Sequence, residues 1–199
     1  MKKLSTYLFL VLFSFQTSSW ANDIRDFQIE GMSVGDSLLD YFTEDKIKKN
    51  NRNYTLYKSN KFYAVGMDYE NSFKVYDVLD IHLKTNDKKY KIKGIAGVIY
   101  FKKNINDCYK KQDDIVSELS QIFKTAKIDD EGTTAHPADK TGKSKTTDIY
   151  FNFKSGDSVQ VSCYDWSEKI TKKFRYGDHL RVSIIPNELS EWFKNEAFK

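Results

Sequence analysis

Residues that interrupt regular structure are scarce in this sequence. Only 2 prolines and 9 glycines occur among 199 residues, so long, uninterrupted elements are expected. There is also no run of about 20 apolar residues, the length that a helix needs to cross a membrane. Aromatic residues are abundant by contrast, with 14 Phe and 13 Tyr, and pleated sheets accommodate such side chains well. The composition therefore favours a β-rich fold.

The balance of apolar and charged residues is that of an ordinary globular protein. Hydrophobic residues make up 40% of the chain and charged residues 30%, which excludes collagen, coiled coil and charge-driven disorder as the main class. The 32 Lys and Arg exceed the 28 Asp and Glu by four. The function class is not visible in these figures.

The N-terminus has the pattern of a secretory signal peptide. Lys2 and Lys3 precede an apolar run from Leu8 to Phe15, and Ser19-Trp20-Ala21 places small residues at the two positions that a signal peptidase reads. Residues 1–21 are therefore predicted to be a cleaved signal, with an uncleaved membrane anchor as the alternative. We expect a periplasmic or secreted protein, in a Gram-negative-type envelope.

Cleavage would leave residues 22–199 as one mature domain without a transmembrane segment. Its charge would be 30 Lys and Arg (32 minus Lys2 and Lys3) against 28 Asp and Glu, or +2. A nearly neutral chain offers no electrostatic reason to bind nucleic acid, because such binding depends on neutralising phosphates.

The two cysteines, Cys108 and Cys163, are predicted to form a disulfide, because export places them in an oxidising compartment. Cys108 opens a helical apolar pattern and Cys163 ends the alternating series Val159, Val161, Cys163, so both side chains should face the core. The alternatives are two buried free thiols or a catalytic thiol. No Cys-x-x-Cys motif or neighbouring His activates either residue.

Hydrophobic periodicity predicts the order of helices and strands. A first helix should begin at Ser33, with Asp36 at capping-box spacing, a second should span 106–126, and a third should begin at Asn187 and bury Leu189, Trp192 and Phe193. The polar segment 129–147 is interpreted as a long flexible loop. Strands are predicted at 54–57, 62–69, 73–84, 90–101, 149–153, 159–166 and 180–184.

This order predicts an α+β fold. We expect an antiparallel β-sheet of about seven strands, with two main helices packed on one face and a short C-terminal helix. The helix-then-sheet order occurs twice, so a tandem of two helix-plus-meander halves, 22–103 and 104–199, is the alternative to a single continuous sheet. We favour the single sheet.

Part of the chain resembles a known family of envelope proteins. The stretch Ile29-Glu30-Gly31-Met32-Ser33, a helix, a strand ending Asp80-Ile81-His82-Leu83, a polar turn and then Tyr90 to Ile95 resemble the helix-plus-meander module of the BamE (SmpA/OmlA) family. The resemblance covers residues 29–101, and two such modules in tandem would be similar to the β-lactamase inhibitory protein. It implies an envelope protein that contacts other macromolecules through its sheet, without catalysis.

The strings that suggest catalysis or cofactor binding have simpler interpretations. Thr141-Gly142-Lys143-Ser144 matches the end of a phosphate-binding P-loop, but Pro137 stands where that motif needs a glycine. The segment is therefore interpreted as part of a surface loop. No nucleophile elbow is present, and we predict no catalytic residue, cofactor or metal site.

The three histidines are too dispersed to predict a zinc site. His82 and His179 fall on the polar faces of their strands and are expected to be solvated. The alternative is that they converge with Asp80 and Arg181 in a pocket, which would make the protein an exported hydrolase or small-ligand binder.

Three residues are candidates for contact with a partner. Tyr164 and Trp166 lie at a strand end beside a polar segment, where aromatic side chains could form a binding surface. His136 lies in the predicted loop, and loops often contribute to binding. The sequence therefore favours a non-enzymatic exported protein that binds a protein or another envelope component.

Overall fold

The computed structural model describes residues 23–52, 57–101 and 104–199 of the chain. The predicted signal peptide and most of the strand predicted at 54–57 lie outside these ranges, so both stay predictions.

Seven strands form one antiparallel sheet, which confirms the predicted α+β class and sheet type. Their order across the sheet is β1-β2-β3-β7-β6-β5-β4. The first three strands and the last four are consecutive meanders, and the pair β3–β7 joins them. The strands are β1 (Phe62–Asp68), β2 (Val78–Lys84), β3 (Ile92–Tyr100), β4 (Lys127–Ala135), β5 (Lys145–Asn152), β6 (Ser158–Asp165) and β7 (His179–Ile185).

Four α-helices accompany the sheet in the described ranges. α4 begins at the predicted residue and buries Leu189 and Trp192. Across those same ranges, no helix is both long enough and apolar enough to span a membrane. The helices are α1 (Glu44–Lys49), α2 (Ile105–Ile122), α3 (Glu168–Phe174) and α4 (Asn187–Asn195).

One face of the sheet, here called the covered face, forms the main core. The strand register aligns one apolar residue from each of six neighbouring strands, all buried: Val65, Ile81, Ile95, Ile184, Val159 and Phe151. Residues from the N-terminal segment, α1 and α2 complete the same core cluster, among them Ile29, Met32, Leu38, Ile47 and Leu119. Burial of this continuous apolar layer is the main stabilising term of the fold.

The predicted disulfide is confirmed. Cys108 on α2 is bonded to Cys163 on β6, with the two Cα atoms 6.0 Å apart. One turn further along α2, the buried Gln112 amide donates to the carbonyl oxygens of Thr147 and Val161, both at 2.8 Å. A covalent bond and two hydrogen bonds therefore fix α2 on the covered face.

The opposite face, here called the open face, is partly covered by α4. Leu189 and Trp192 pack with Phe62 in a second, smaller apolar cluster. Gly94 lets α4 pack closely there, because an added Cβ would lie 2.3 Å from Leu189 Cδ2 and would force that side chain to move. Away from α4, the open face carries charged and aromatic side chains.

The prediction of a helix that begins at Ser33 is wrong. The segment folds as turns with a short 3₁₀ helix, Leu38–Asp40, and the first α-helix begins at Glu44, capped by Thr43. The Gly35 and Leu38 amides donate to the carbonyl oxygens of Ile92 and Tyr90, at 2.9 and 3.0 Å. Pairing with the distant β3 region therefore replaces the hydrogen bonds that a local helix would have made.

The prediction of a flexible loop at 129–147 is also wrong. This segment contains most of β4 and the start of β5, which pair along their length with a bulge between Asp130 and Gly132. β4 is an edge strand whose side chains are mostly exposed. Backbone pairing with β5 stabilises this strand. It can therefore form without the alternation of apolar and polar residues by which a strand is recognised in a sequence.

Candidate functional site

A row of aromatic side chains crosses the strands at one end of the open face. Tyr100 on β3, His179 on β7 and Tyr164 on β6 are direct cross-strand neighbours. Directly opposed residues bring their side chains within contact distance, so the register itself builds the row. We call the following set the aromatic row: Tyr69, Tyr100, His179, Tyr164, Trp166 and His136.

The rings of the aromatic row are in contact. Tyr164 and His179 stack with their centroids 4.5 Å apart and their planes inclined by 10°. Tyr164 and Trp166 stack at 5.9 Å, and Tyr100 meets His179 edge-on at 5.9 Å. At the other end, Tyr69 stacks on Tyr100 at 6.5 Å and is itself 60% exposed.

The structure brings the three predicted partner-binding residues together. The His136 ring lies 4.5 Å from Trp166 and 5.8 Å from Tyr164, measured between centroids. Trp166 Nε1 is buried and has no hydrogen-bond partner among the described residues. The row continues from Trp166 to Tyr176, at 4.9 Å, and from there to Phe174, at 5.5 Å.

Other members of the row were not identified from the sequence. Tyr69 and Tyr100 were assigned only to strand ends, and His179 was expected to be solvated. Each lies at the end of a predicted strand, which was a usable signal. Their convergence depends on the β3–β7 pairing, and that pairing joins residues about 80 positions apart in the chain, which local patterns do not reveal.

A buried carboxylate, Asp139, organises the β4–β5 turn that follows His136. Asp139 is buried, and its side chain accepts hydrogen bonds from the Thr141 amide at 3.0 Å, the Ser144 amide at 3.0 Å and the Ser167 hydroxyl at 2.8 Å. Hydrogen bonds from Thr141 and Ser144 hold the pKa of Asp139 well below its usual value. Two backbone amides of the P-loop-like string, those of Thr141 and Ser144, therefore donate to the protein's own Asp139 carboxylate.

A group of four charged side chains lies beside the aromatic row on the open face. Arg181 donates to Asp80 at 2.7 Å, while Arg52 pairs with Asp68 and its Nε lies 3.6 Å from Asp80. Gly66 allows this arrangement, since an added Cβ would lie 1.8 Å from Arg52 Nε. We call Arg52, Asp68, Asp80 and Arg181 the ion quartet.

The electrostatics leave the aromatic row uncharged at neutral pH. Burial lowers the pKa of His179 to about 4, and the Arg181 charge acts in the same direction. Burial likewise lowers the pKa of His136 and raises that of Tyr164. Burial alone would raise the pKa of Asp80, but the two arginines outweigh it and hold that pKa below its usual value.

The expectation that His82 is solvated is wrong. His82 is only 7% exposed, and its Nε2 lies 3.0 Å from the Tyr57 hydroxyl oxygen. Phe193 of α4 packs edge-on against its ring at 5.3 Å. Burial lowers the pKa of His82 to about 4, with a smaller contribution from Arg181. The sequence predicts the polar face of β2 correctly, but its patterns do not reveal that α4 packs over that face.

The alternative pocket built from both histidines does not form. His82 is opposite Gly94 on β3, whereas His179 is opposite Tyr100 on the same strand. Six residues of strand separate Gly94 from Tyr100, or roughly 20 Å at about 3.3 Å per residue. Within residues 23–52, 57–101 and 104–199, no three His, Cys, Asp or Glu side chains are grouped as a metal site.

Comparison of the chain with known protein families, curated proteins and solved structures finds no match. The resemblance to the BamE family therefore stays a prediction, and the functional argument rests on the geometry of the open face.

Proposed function

We propose that this protein is an exported, non-enzymatic envelope protein that binds a partner protein through the open face of its sheet. The observation that carries the proposal is the aromatic row, a continuous line of contacting rings that crosses the sheet. The covered face provides the main core, and Tyr69, Tyr100, Tyr164 and Trp166 belong to neither apolar cluster.

The stacking geometry favours a protein partner. Tyr164 and His179 lie nearly parallel, with their planes inclined by 10°, so each uses a ring face on its neighbour. The ring edges and polar atoms of these two side chains are then the parts that a partner can contact. Tyr, Trp and Arg are the residue types that contribute most to protein interfaces.

The ion quartet gives this surface a means of selecting its partner. Asp80 is held between Arg52 and Arg181, while Asp68 is more exposed, with 45% of its side chain accessible. Charges at the edge of an interface mainly set specificity and association rate. We expect the partner to present complementary charges there.

The buried carboxylate of Asp139 is engaged in structural contacts, which supports a binding role. Asp139 is bound by Ser144 and Ser167. A general base needs a free nitrogen or oxygen within hydrogen-bond reach of a nucleophile.

Export and the placement of two helices on one face of the sheet are part of the same proposal. The Cys108–Cys163 disulfide is compatible with an oxidising compartment. We infer that α1 and α2 both pack on the covered face of the single sheet. Ile47 of α1 and Leu119 of α2, which belong to one core cluster, support this inference.

Site-specific photo-crosslinking tests the proposed function. A photoreactive phenylalanine analogue would replace Tyr69, which is 60% exposed, and as a matched control Tyr41, which is 40% exposed and lies in the N-terminal segment. After irradiation of cells of the native host, we expect a discrete protein adduct at position 69 and none at 41. The captured protein would be identified by mass spectrometry.

The captured protein would then be purified and its affinity measured. We expect Tyr100→Ala to weaken binding at least about tenfold, since central interface aromatics typically contribute more than 1.4 kcal/mol. Equal labelling at both positions, the absence of an adduct at position 69, or an unchanged affinity for the variant would contradict the proposal.

A further inference from the structure

Four lysines line one open concavity beside α3. They are Lys143 from the β4–β5 turn and Lys169, Lys172 and Lys173 from α3, around a volume of about 840 Å³. Glu168 is the single carboxylate in that lining, and it pairs with Lys172 at 3.0 Å. The lining therefore has a charge of four minus one, or +3, whereas the whole chain has only +4.

The local fold explains why these lysines share one side of α3. Ile170 is buried and anchors the helix. At about 100° per residue, positions 169, 172 and 173 fall within an arc of about 100°. Hydrogen bonds from Ser167 to Asp139 and to the Ser144 hydroxyl tie the start of α3 to the turn that carries Lys143.

Two exposed aromatic rings adjoin the lysines. Phe174 is 47% exposed and Tyr176 is 44% exposed, with their centroids 5.5 Å apart. The Lys173 ammonium lies 4.8 Å from the centre of the Phe174 ring. Cations next to exposed aromatic rings match a bilayer surface, where rings enter the boundary below the headgroups and ammonium groups meet the phosphates.

We propose that this corner, comprising the four lysines with Phe174 and Tyr176, docks the protein on the surface of an anionic lipid bilayer. The charge of the concavity is complementary to the lipid phosphates. Lysine acts as a mobile point charge suited to a diffuse negative surface, whereas fixed carboxylates are typically recognised by the arginine fork. A soluble polyanion would satisfy the lysines but leave the Phe174 ring in water.

Vesicle sedimentation of the purified protein tests this proposal. We expect binding to phosphatidylcholine vesicles that contain about one third phosphatidylglycerol, with negligible binding to pure phosphatidylcholine, and a decrease in binding as salt is raised. The combined variant Lys169→Gln, Lys172→Gln, Lys173→Gln should bind anionic vesicles about 100-fold more weakly, since each lysine should increase the affinity for the bilayer roughly fivefold.

A matched charge variant controls for net charge. Lys110, Lys111 and Lys124 are exposed residues on and just after α2, and their triple change to Gln lowers the net charge equally. It should alter vesicle binding only a few-fold, because charges beyond a Debye length of about 8 Å are screened. Equal losses in the two triple variants, or no binding to anionic vesicles by the unmodified protein, would overturn the proposal.

Phe174→Ala separates a bilayer from other anionic partners. It should weaken vesicle binding roughly tenfold, as expected when a large ring is no longer buried, while binding to dextran sulfate stays unchanged. If vesicle binding is also unchanged, the site binds polyanions and the lipid assignment is wrong. Tyr69→Ala should leave vesicle binding intact, so this proposal and the proposed protein binding can fail independently.

Discussion

Two rows of residues cross the sheet in the same direction, one on each face. On the covered face the register aligns Val65, Ile81, Ile95, Ile184, Val159 and Phe151. On the open face it aligns Tyr100, His179 and Tyr164. The same backbone pairing therefore produces an apolar seam within the main core and an aromatic row outside it. We infer that the first was selected for stability and the second for contact with a partner.

The sharpest way to break this comparison is to truncate one ring on each face of the same strand. Phe151 is fully buried on the covered face, while Tyr150 beside it points to the open face, where its hydroxyl oxygen accepts from Gln160 at 2.9 Å. Phe151→Ala should lower the free energy of unfolding by about 3–5 kcal/mol. Tyr150→Ala should lower it by about 1 kcal/mol. Urea unfolding followed by circular dichroism measures both, and equal losses would refute the assigned roles of the two faces.

The disulfide offers a second test, because it belongs wholly to the covered face. The bond joins residues 55 positions apart, and its removal in Cys108→Ser, Cys163→Ser should cost about 4 kcal/mol. Binding of the partner by the folded variant should be unchanged, since neither cysteine contacts the open face. A variant that keeps full stability but loses binding would reverse the roles assigned here to the two faces.

The smallest of the three effects concerns the pH dependence of stability. The folded-state pKa of His82 is about 4, below its unfolded value of 6.5. The unfolded chain therefore binds the proton first as the pH falls, and stability decreases from pH 7 towards pH 4. Between pH 7 and pH 5 this linkage amounts to roughly 2 kcal/mol.

His82→Gln should remove that part of the pH dependence. His179, with its folded-state pKa also lowered to about 4, should retain a similar share, so the decrease in stability should shrink without vanishing. Urea unfolding at pH 7 and pH 5 for both proteins gives the comparison. If the two decreases are the same, His82 is not held neutral by burial.

The covered face was largely predictable from sequence, and the open face was not. Alternation in the strand Val159-Gln160-Val161-Ser162-Cys163 predicts which of its side chains are buried. The helical pattern of α2 predicts that Cys108 faces the same core. The open face depends on which strands become neighbours. Tyr100 and His179 meet only because β7 inserts beside β3, and His82 is buried only because α4 folds back over β2.

Edge strands were the other weakness of the sequence patterns. β4 was interpreted as a loop because Ile128 is its only large apolar residue, and even that side chain is 45% exposed. An edge strand with both faces in water needs little apolar surface, since its partner strand satisfies the backbone. Composition alone therefore cannot separate such a strand from a solvated loop.

The central position of β7 has a consequence for how the chain can be made. Its residues, 179–185, lie between β3 and β6 in the sheet, yet they follow the other six described strands in the chain. Until they emerge, each meander has an unpaired edge, so the complete sheet cannot close during elongation. The two meanders can therefore join into one sheet only after the last of the described strands has been made.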